Sequence, residues 1–330
     1  MRILLTGARG QLGSELLPLL SKTGEVIAVG RAECDFTSTQ AVRELVGSVH
    51  PAVIVNPAAY TAVNEAEANR ELAFAINAAA PGALAEEAHK CGAMLVHYST
   101  DYVFDGAKEG SYDEFDQPAP LNVYGASKLA GEHAVATAFR PSTPSAGALG
   151  TPGGRFLILR SSWIYGPGGN NFLLTIRRLA REREELRIVD DQVGSPTSSL
   201  QLAHATARVV REWATVPESE FRSGTYHCTA GGSVSWCGFA QAIVEALGHN
   251  TRTEGNSNDD AECGEALRVK RIVPITTAEY PTPVQRPLNS VLCNFKFERT
   301  FGFSIGSWEH GLADVVRELR RREARQRQQL

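Results

Sequence analysis

A tyrosine and a lysine stand four residues apart in the short stretch YGASK, as Tyr124 and Lys128. Residues at positions i and i+4 of a helix lie on one face, one turn apart. An ammonium group beside a phenol stabilises the phenolate, so we expect the pKa of Tyr124 to lie below its ordinary value of about 10. A tyrosine tuned in this way can exchange a proton with a carbonyl oxygen. Exposed helices also carry this spacing by chance, so the pair needs supporting motifs.

Hydroxyl and carboxylate side chains close the strand-like run AMLVHYST, where Ser99, Thr100 and Asp101 follow one another. Ligands of open α/β sheets bind at the carboxyl ends of the strands, so we expect these side chains at a binding cleft. A hydroxyl group there can hydrogen-bond a carbonyl oxygen as negative charge develops on it. The alternative is a Ser/Thr run that closes a strand by ordinary turn chemistry.

The chain begins with a strand-like segment that runs into a glycine-rich turn, TGARGQLG, and then into an apolar helix. Glycine lets the backbone turn sharply and approach a pyrophosphate, and the N-terminus of the helix favours negative charge. The position of Gly7, Gly10 and Gly13 between a strand and a helix therefore predicts a dinucleotide site, with a tight turn that binds no ligand as the alternative. Pro18 predicts that this helix is kinked or short.

The second predicted strand ends in EVIAVGR, with Gly30 and Arg31 where NAD-specific folds carry an acidic residue for the ribose 2′-hydroxyl. A guanidinium group suits a 2′-phosphate because of its charge and its planar donor geometry. We therefore predict NADPH as the cofactor. NADH is the alternative if Arg31 points into solvent.

Short runs rich in Val, Ile and Leu alternate with Ala-rich stretches of helical period through the first half of the chain. This rhythm predicts βαβ units and hence an α/β fold with a doubly wound parallel sheet of Rossmann type. Helices are expected at 11–21, 38–49, 65–90 with a break at Pro81, and 124–139. Polar stretches at 140–154 and 250–266 are predicted to be loops. The arginine-rich tail from Arg317 is interpreted as a solvated terminal helix, with a nucleic-acid or membrane patch as the weaker alternative.

Bulk composition argues against several classes of function. The 330 residues are 43% hydrophobic and 21% charged, as is ordinary for a globular protein. The 33 basic and 37 acidic residues give a formal charge of -4, which does not predict nucleic acid or an anionic membrane as a partner. Six cysteines without CxxC spacing predict neither a metal site nor a disulfide framework. Because no leader or long apolar run is found, we expect a cytoplasmic protein.

The order of these motifs resembles the extended short-chain dehydrogenase/reductase family, with a glycine turn at 7–13, a Ser/Thr strand end at 99–101 and Tyr-x-x-x-Lys at 124–128. Further stretches between residues 57 and 290 resemble one branch of it, the family of dTDP-4-dehydrorhamnose reductases. These stretches are PAAYTAVNEAE, HYSTDYVFDG, APLNVYGASKLAGE, RSSWIYGPGGNNF, VDDQVGSPT and RPLNS.

The resemblance implies NADPH-dependent reduction of the C4 ketone of dTDP-4-dehydro-beta-L-rhamnose to dTDP-beta-L-rhamnose. It implies that Tyr124 donates the proton, that Lys128 also binds the nicotinamide ribose, and that Thr100 tunes the tyrosine. With the glycine turn and Arg31 included, the predicted cofactor contacts are Gly7, Gly10, Gln11, Leu12, Gly13, Arg31, Asp35, Phe36, Ala59, Tyr60, Thr61, Tyr124 and Lys128. The implied substrate contacts are Thr100, Asp101, Trp163, Arg286 and Asn289.

Two of these substrate residues have types that suit the role. A tryptophan offers an apolar stacking face, and an arginine forks onto phosphate oxygens. The alternatives are a core aromatic for Trp163 and a surface charge that caps a loop for Arg286. The expected partner is a small nucleotide-sugar.

The sequence also departs from what the resemblance implies. Asn64 stands where the family usually has Asp, which removes one expected carboxylate contact to substrate. Some relatives form a dimer bridged by magnesium; here Glu15 is kept, but Leu200 replaces the second carboxylate. A lone carboxylate does not hold the ion, so we predict no bridging metal and leave a homodimer open.

The resemblance also suggests how the chain is divided into a nucleotide domain and a smaller C-terminal α/β substrate lobe. The predicted division gives 1–168 to the NADP-binding domain, with a return around 195–225, then 169–194 and 226–310 to the smaller nucleotide-sugar-binding lobe, and 311–330 to a terminal helix and basic tail. One alternative function is a non-catalytic, nucleotide-binding regulatory subunit that resembles the methionine adenosyltransferase beta subunit. Another is a different nucleotide-sugar reductase or epimerase. RSSWIYGPGGNNF, DDQVGSPT and RPLNS favour the dTDP-4-dehydrorhamnose reductases.

Overall fold

The computed structural model describes residues 1–140, 154–248 and 265–328. The loops predicted at 140–154 and 250–266 therefore lie almost entirely outside the described residues. In chain order the elements are β1 (Arg2–Leu5), α1 (Gly13–Leu20), β2 (Glu25–Ala28), α2 (Thr39–Val49), β3 (Val53–Asn56), α3 (Val63–Ala66), α4 (Arg70–Phe74), α5 (Ala80–Cys91), β4 (Met94–Thr100), α6 (Val123–Ala138), β5 (Phe156–Ser161), β6 (Ile164–Tyr165), α7 (Phe172–Glu182), β7 (Glu185–Val189), β8 (Val193–Gly194), β9 (Thr197–Ser198), α8 (Ser199–Trp213), β10 (Gly224–His227), β11 (Val234–Ser235), α9 (Trp236–Gly248), β12 (Arg271–Ile275), β13 (Asn289–Ser290), α10 (Phe295–Phe301) and α11 (Trp308–Gln328).

Six parallel strands form the central sheet in the order β10-β5-β4-β3-β1-β2. Strands β3 and β4 are buried along their whole length, as expected for strands covered on both faces. Side chains of α1 and α8 join one core cluster, and side chains of α2, α5 and α6 join another. The doubly wound parallel fold predicted from the sequence is thereby confirmed. The connection after β1 leads to β2 on one side, and the connection after β3 leads to β4 on the other side. Because these two connections diverge, a crevice forms at the carboxyl ends of β1 and β3.

A third core cluster joins α7, α9 and α11, through residues such as Ile176, Ile243 and Val315. Around it lie a three-stranded sheet, β11-β8-β13, and the parallel pair β12-β7. Strand β10 returns the chain to the central sheet beside β5. The domain boundaries drawn from the sequence stay a prediction.

The predicted helix at 65–90 is instead a series of shorter elements. Helices α3 and α4 are followed by a π-helical turn at Ala75–Ala79 and then by α5. Pro81 lies in the first turn of α5, where its missing N–H leaves no hydrogen bond unmade. The interruption therefore precedes Pro81 and is caused by the π turn. Helix α1 is short, with eight residues, as Pro18 predicts.

Helix α11 contains the described part of the arginine-rich tail. Its apolar face is buried, from Trp308 to Leu319, against the third core cluster. Arg322 donates to Glu15 of α1 at 2.8 Å and to Glu318 at 2.9 Å. The helix is therefore packed along one face and solvated along the other. Among the described residues, no helix has the length and apolar character that crossing a membrane requires.

Helix α6 lies very close to the π-helical turn because residue 131 is glycine. A Cβ atom at Gly131 would lie 2.0 Å from the backbone oxygen of Asn77. A main-chain oxygen inside a packed turn cannot move aside cheaply. This contact fixes the distance between α6, which carries the Tyr124 and Lys128 pair, and the turn beside it.

We expect Gly131→Ala to lower the free energy of unfolding by roughly 1–3 kcal/mol, because the added methyl group overpacks this contact. Urea denaturation would measure the change. Gly47→Ala in α2 is the matched control, since nothing lies within 4 Å of a Cβ there. The control should gain about 0.5–1 kcal/mol from helix propensity. Equal stability of the two variants would contradict the packing argument.

Candidate active site

The glycine turn lies between β1 and α1, against the loop that follows β3. Gly7 has φ +54°, and a Cβ at this residue would lie 2.9 Å from the backbone of Ala58. A Cβ at Gly13 would lie 2.2 Å from the Gly7 oxygen, while the Gly10 N–H donates to the same oxygen at 2.9 Å. Side chains would fill this cradle and prevent a pyrophosphate from approaching the backbone. The turn therefore fits a dinucleotide.

Side chains next to the turn tie it to the loop after β6. The Gln11 amide donates to the Ile164 oxygen at 3.0 Å and accepts from Asn171 at 2.8 Å. Leu12 is buried in the first core cluster. Gln11 thus holds the glycine turn against the chain that continues beyond Trp163.

The end of β2 carries more charge than its sequence indicated. Arg31 is exposed. The Glu33 carboxylate accepts from the Gly30 N–H at 2.7 Å and from Arg9 at 2.7 Å. Asp35 accepts from Thr37, and this hydrogen bonding lowers the pKa of Asp35. Glu33 and Arg9 were not predicted from the sequence, because only the fold brings them together here.

Asn77 in the π-helical turn was also missed. Its buried amide accepts from the Tyr60 N–H at 2.8 Å and donates to the Tyr60 oxygen and to the Ser127 hydroxyl, both at 3.0 Å. Asn77 therefore links the predicted cofactor loop at 59–61 to helix α6. The only sequence signal was one asparagine inside the Ala-rich run AINAAAPG.

The N-terminus of α6 places Tyr124 beside the end of β4. The N-cap residue Asn122 accepts from the Gly125 N–H at 2.8 Å and donates to the Gln285 oxygen at 3.0 Å. A Cβ at Gly125 would lie 2.1 Å from the Tyr102 oxygen, so only glycine allows this approach. The rings of Tyr102 and Tyr124 then meet edge to face, with centroids 5.6 Å apart.

Thr100 and Asp101 lie at this edge of the sheet with Tyr124. The Thr100 hydroxyl donates to Asp101 at 3.0 Å and accepts from the Tyr102 N–H at 3.2 Å. Burial raises the pKa of Asp101 to about 6, although the nearby hydroxyl groups of Ser290, Thr100 and Ser162 oppose the rise. The structure therefore brings the predicted hydroxyl, carboxylate and phenol into one cluster.

The pKa of Tyr124 shifts in the direction opposite to the one predicted from the sequence. Burial raises the pKa of Tyr124 to about 12, while the nearby Thr100 hydroxyl opposes the rise. The predicted lowering is wrong, because desolvation of the phenol dominates. The Lys128 ammonium donates instead to the backbone oxygen of Tyr98 at 2.6 Å. The phenol therefore keeps its proton at neutral pH, as a proton donor must.

Lys128 is buried, and burial lowers its pKa to about 8. Glu132, one turn further along α6, opposes this lowering. The Glu132 carboxylate accepts from the buried Arg160 guanidinium on β5 at 2.9 and 2.7 Å. Positive, negative and positive charges thus follow one another from Lys128 through Glu132 to Arg160. Glu132 and Arg160 pair in the bidentate geometry that suits buried ions.

The predicted substrate residues differ in how many of their hydrogen-bond donors are already bound to other groups of the protein. Arg286 donates to Asn64 at 3.2 Å, and its buried Nε has no partner among the described residues. The Asn289 amide donates to the oxygens of Lys108 and Gly110 at 2.8 and 2.6 Å. Arg286 thus has a free donor, whereas Asn289 braces a loop. The binding roles of these residues stay predictions.

The expected absence of a bridging metal stays a prediction too. Glu15, the carboxylate kept from the resemblance, is buried and pairs with Arg322. Among the described residues, no group of three or more His, Cys, Asp or Glu side chains is arranged to hold a metal ion.

A cavity of about 880 Å³ between α1, α8 and α11 contains none of the predicted site residues. The predicted catalytic residues lie instead at the carboxyl edge of the central sheet.

Comparisons with known proteins show which family the chain resembles. A family model described as RmlD substrate binding domain matches residues 1–321. The chain is 43% identical to the dTDP-4-dehydrorhamnose reductase of Burkholderia thailandensis, over 97% of this chain and 99% of the relative. Among solved structures, it resembles a dTDP-4-dehydrorhamnose reductase from Clostridium acetobutylicum with a TM-score of 0.81 and 36% identity, over 97% of this chain and 99% of that chain. The enzyme from Bacillus anthracis, solved in complex with NADP, gives a TM-score of 0.80 and 34% identity, over 96% and 99% of the two chains.

The buried ammonium predicts a pH-dependent cost in stability. Because the pKa of Lys128 falls from 10.5 to about 8 on folding, the unfolded chain binds the proton more tightly. Stability should therefore rise with pH between about 8 and 10.5, with the full penalty present below that window. Relative to Lys128→Met, we expect the wild type to gain up to about 3 kcal/mol across it.

Urea unfolding of the wild type and of Lys128→Met at several pH values between 7 and about 10 would measure this difference. The control is Lys90→Met, at a lysine whose side chain is exposed and pairs with Glu87. Parallel stability curves for the wild type and Lys128→Met would show that burial does not perturb this lysine.

Proposed function

The chain belongs to the RmlD substrate binding domain family, and from this premise we propose that it is an NADPH-dependent dTDP-4-dehydrorhamnose reductase. The substrate is dTDP-4-dehydro-beta-L-rhamnose, and the product is dTDP-beta-L-rhamnose. The observation that carries the proposal is the cluster of Tyr124, Thr100 and Lys128 at the sheet edge next to a glycine turn that fits a dinucleotide.

We assign one task to each residue of this cluster. Bound NADPH supplies a hydride to C4 of the sugar. Tyr124 holds a proton on its hydroxyl, because burial raises its pKa to about 12, and gives this proton to the C4 oxygen. The single proton of the Thr100 hydroxyl, which lies next to Tyr124, turns from Asp101 to the same oxygen as charge develops there. The Lys128 ammonium, fixed by the Tyr98 oxygen, provides positive charge behind the phenol and a donor for the nicotinamide ribose.

The cofactor residues surround the glycine turn. Gly7, Gly10 and Gly13 leave room for the pyrophosphate, and the loop at 59–61 is held in place by Asn77. Arg31 is exposed at the end of β2, where a 2′-phosphate would be bound. These positions support NADPH as the cofactor. We further propose that the protein acts in the cytoplasm on a free nucleotide-sugar, with a homodimer as its assembly.

We expect Tyr124→Phe to lower kcat by about 10²–10⁴-fold, because it removes the proton donor, while the Kd for NADPH changes less than about twofold. NADPH consumption with dTDP-4-dehydro-beta-L-rhamnose measures the rate, and product identification shows the sugar formed. Tyr226→Phe is the matched control, because its hydroxyl donates to the Arg222 oxygen. Tight NADPH binding by a wild type that forms no product would contradict the proposal and favour a regulatory role.

We expect Arg31→Ala to weaken NADPH binding by about 1.5–3 kcal/mol, because the 2′-phosphate loses a charged donor, and to leave NADH binding nearly unchanged. Calorimetric titration with each cofactor measures the two affinities. Arg2→Ala is the control, at an exposed arginine that pairs with Glu25 at the opposite end of β2. Equal losses for the two cofactors would remove the argument for a 2′-phosphate contact.

A further inference from the structure

The backbone of Trp163 is strained. Its φ is +47°, in the left-handed region that side chains other than glycine rarely adopt. Among the described residues, the other non-glycine residue with positive φ is His50, which caps helix α2, where this conformation is common. Trp163 caps no helix. A backbone conformation with this strain persists only where its surroundings enforce it.

Trp236 is the first of these surroundings. Its ring lies parallel to that of Trp163, with centroids 3.5 Å apart and planes 5° apart. Aromatic pairs usually prefer offset or edge-to-face contacts, so this nearly complete overlap is imposed by the elements that carry the rings. Phe172 packs on Trp236 in turn, at 4.5 Å between centroids. One whole face of the Trp163 indole is thus covered.

Gly194 is the second residue that holds Trp163 in this conformation. A Cβ at Gly194 would lie 2.5 Å from Cε2 of Trp163 and 2.8 Å from its Nε1 and Cζ2. Since Trp236 covers the other face, the Trp163 indole lies between an aromatic ring and a main-chain segment. The open stacking face expected from the sequence is therefore replaced by a ring held from two sides. The absence of a side chain at Gly194 makes room for it.

Trp236 and Gly194 form a clamp around the Trp163 indole, and the small sheet β11-β8-β13 positions both of them. Gly194 in β8 pairs with Val234 of β11, which leads directly into Trp236, and with Ser290 of β13. Ser162, adjacent to Trp163, donates to the Ser290 backbone oxygen at 3.4 Å, and both residues lie close enough to Asp101 to oppose the rise in its pKa. The clamp is therefore built on the strands that face the end of β4, where the proposed chemistry takes place.

We propose that Trp236 and Gly194 are positioning residues that hold the Trp163 indole from both faces, so that its uncovered edge is a rigid wall of the nucleotide-sugar site. This inference rests on the proposed function. The wall is ordered before the ligand arrives, so binding does not carry the entropic cost of fixing a large side chain. Neither Trp236 nor Gly194 needs to touch the substrate. Their effect is on affinity for the nucleotide-sugar, not on proton transfer.

The experiment compares the steady-state kinetics of Trp236→Ala, Trp236→Phe and Gly194→Ala with those of the full-length wild type. Trp236→Ala should raise KM for the nucleotide-sugar about 10-fold or more, by releasing Trp163, with kcat within about threefold and the NADPH Kd unchanged. Gly194→Ala should raise KM as well, because the added methyl group would clash with the Trp163 indole and displace it. Trp236→Phe keeps an aromatic face and should restore most of the affinity.

Trp213→Ala is the matched control. Trp213 is also half-buried and contacts Phe221 and Phe301 edge to face, in the first core cluster. Its loss should lower stability without raising KM. The parallel indoles of the wild type should also give an exciton couplet in far-ultraviolet circular dichroism. Trp236→Phe and Trp236→Ala should lose this couplet, and Trp213→Ala should keep it.

An unchanged KM in a folded Trp236→Ala protein that has lost the couplet would overturn the inference. A rise in KM of the same size in Trp213→Ala would overturn it too, because the effect would then be general destabilisation. Absence of turnover by the wild type would instead contradict the proposed function. In that case, calorimetric titration of the wild type and the same variants with dTDP-beta-L-rhamnose would test the clamp without turnover. Equal affinities of the wild type and the variants would rule the clamp out.

Discussion

Burial of the Lys128 ammonium is the constraint on which the rest of the site depends. A charged group without water needs partners, and the protein supplies the Tyr98 oxygen directly and the Glu132 carboxylate one helical turn away. That carboxylate needs a partner of its own, which is Arg160. The same desolvation keeps the Tyr124 phenol protonated. One physical cause thus makes the lysine easier to deprotonate and the tyrosine harder to deprotonate.

Such burial requires helix α6 to lie unusually close to its neighbours. Gly125 allows its first turn to contact the Tyr102 backbone, and Gly131 allows its middle to contact the π-helical turn. Asn77 in that turn then reaches both Ser127 on α6 and the backbone of Tyr60. The packing that shields the catalytic pair therefore also sets the position of the predicted cofactor loop.

The sequence predicted the parallel sheet, the glycine turn and the Tyr124 and Lys128 pair, because each depends on residue types at short spacing. It did not predict the direction of the Tyr124 pKa shift, since burial depends on the whole fold. Asn77 and the ion pair of Glu132 with Arg160 were missed for a related reason, as their partners lie 17 to 50 residues away in the chain. The break at Pro81 was misplaced because a proline in the first turn of a helix does not interrupt it.

The atom that accepts the hydrogen bond from Lys128 belongs to the main chain of β4 and not to a side chain. Every residue type has this oxygen, and the ladder to β5, in which Tyr98 pairs with Leu159, holds it in place. Amino-acid replacement at position 98 can therefore alter packing and the bond to Thr206, but it cannot delete the acceptor. This anchor is inherited with the architecture itself, so sequence drift around it leaves the lysine tethered for as long as the sheet forms.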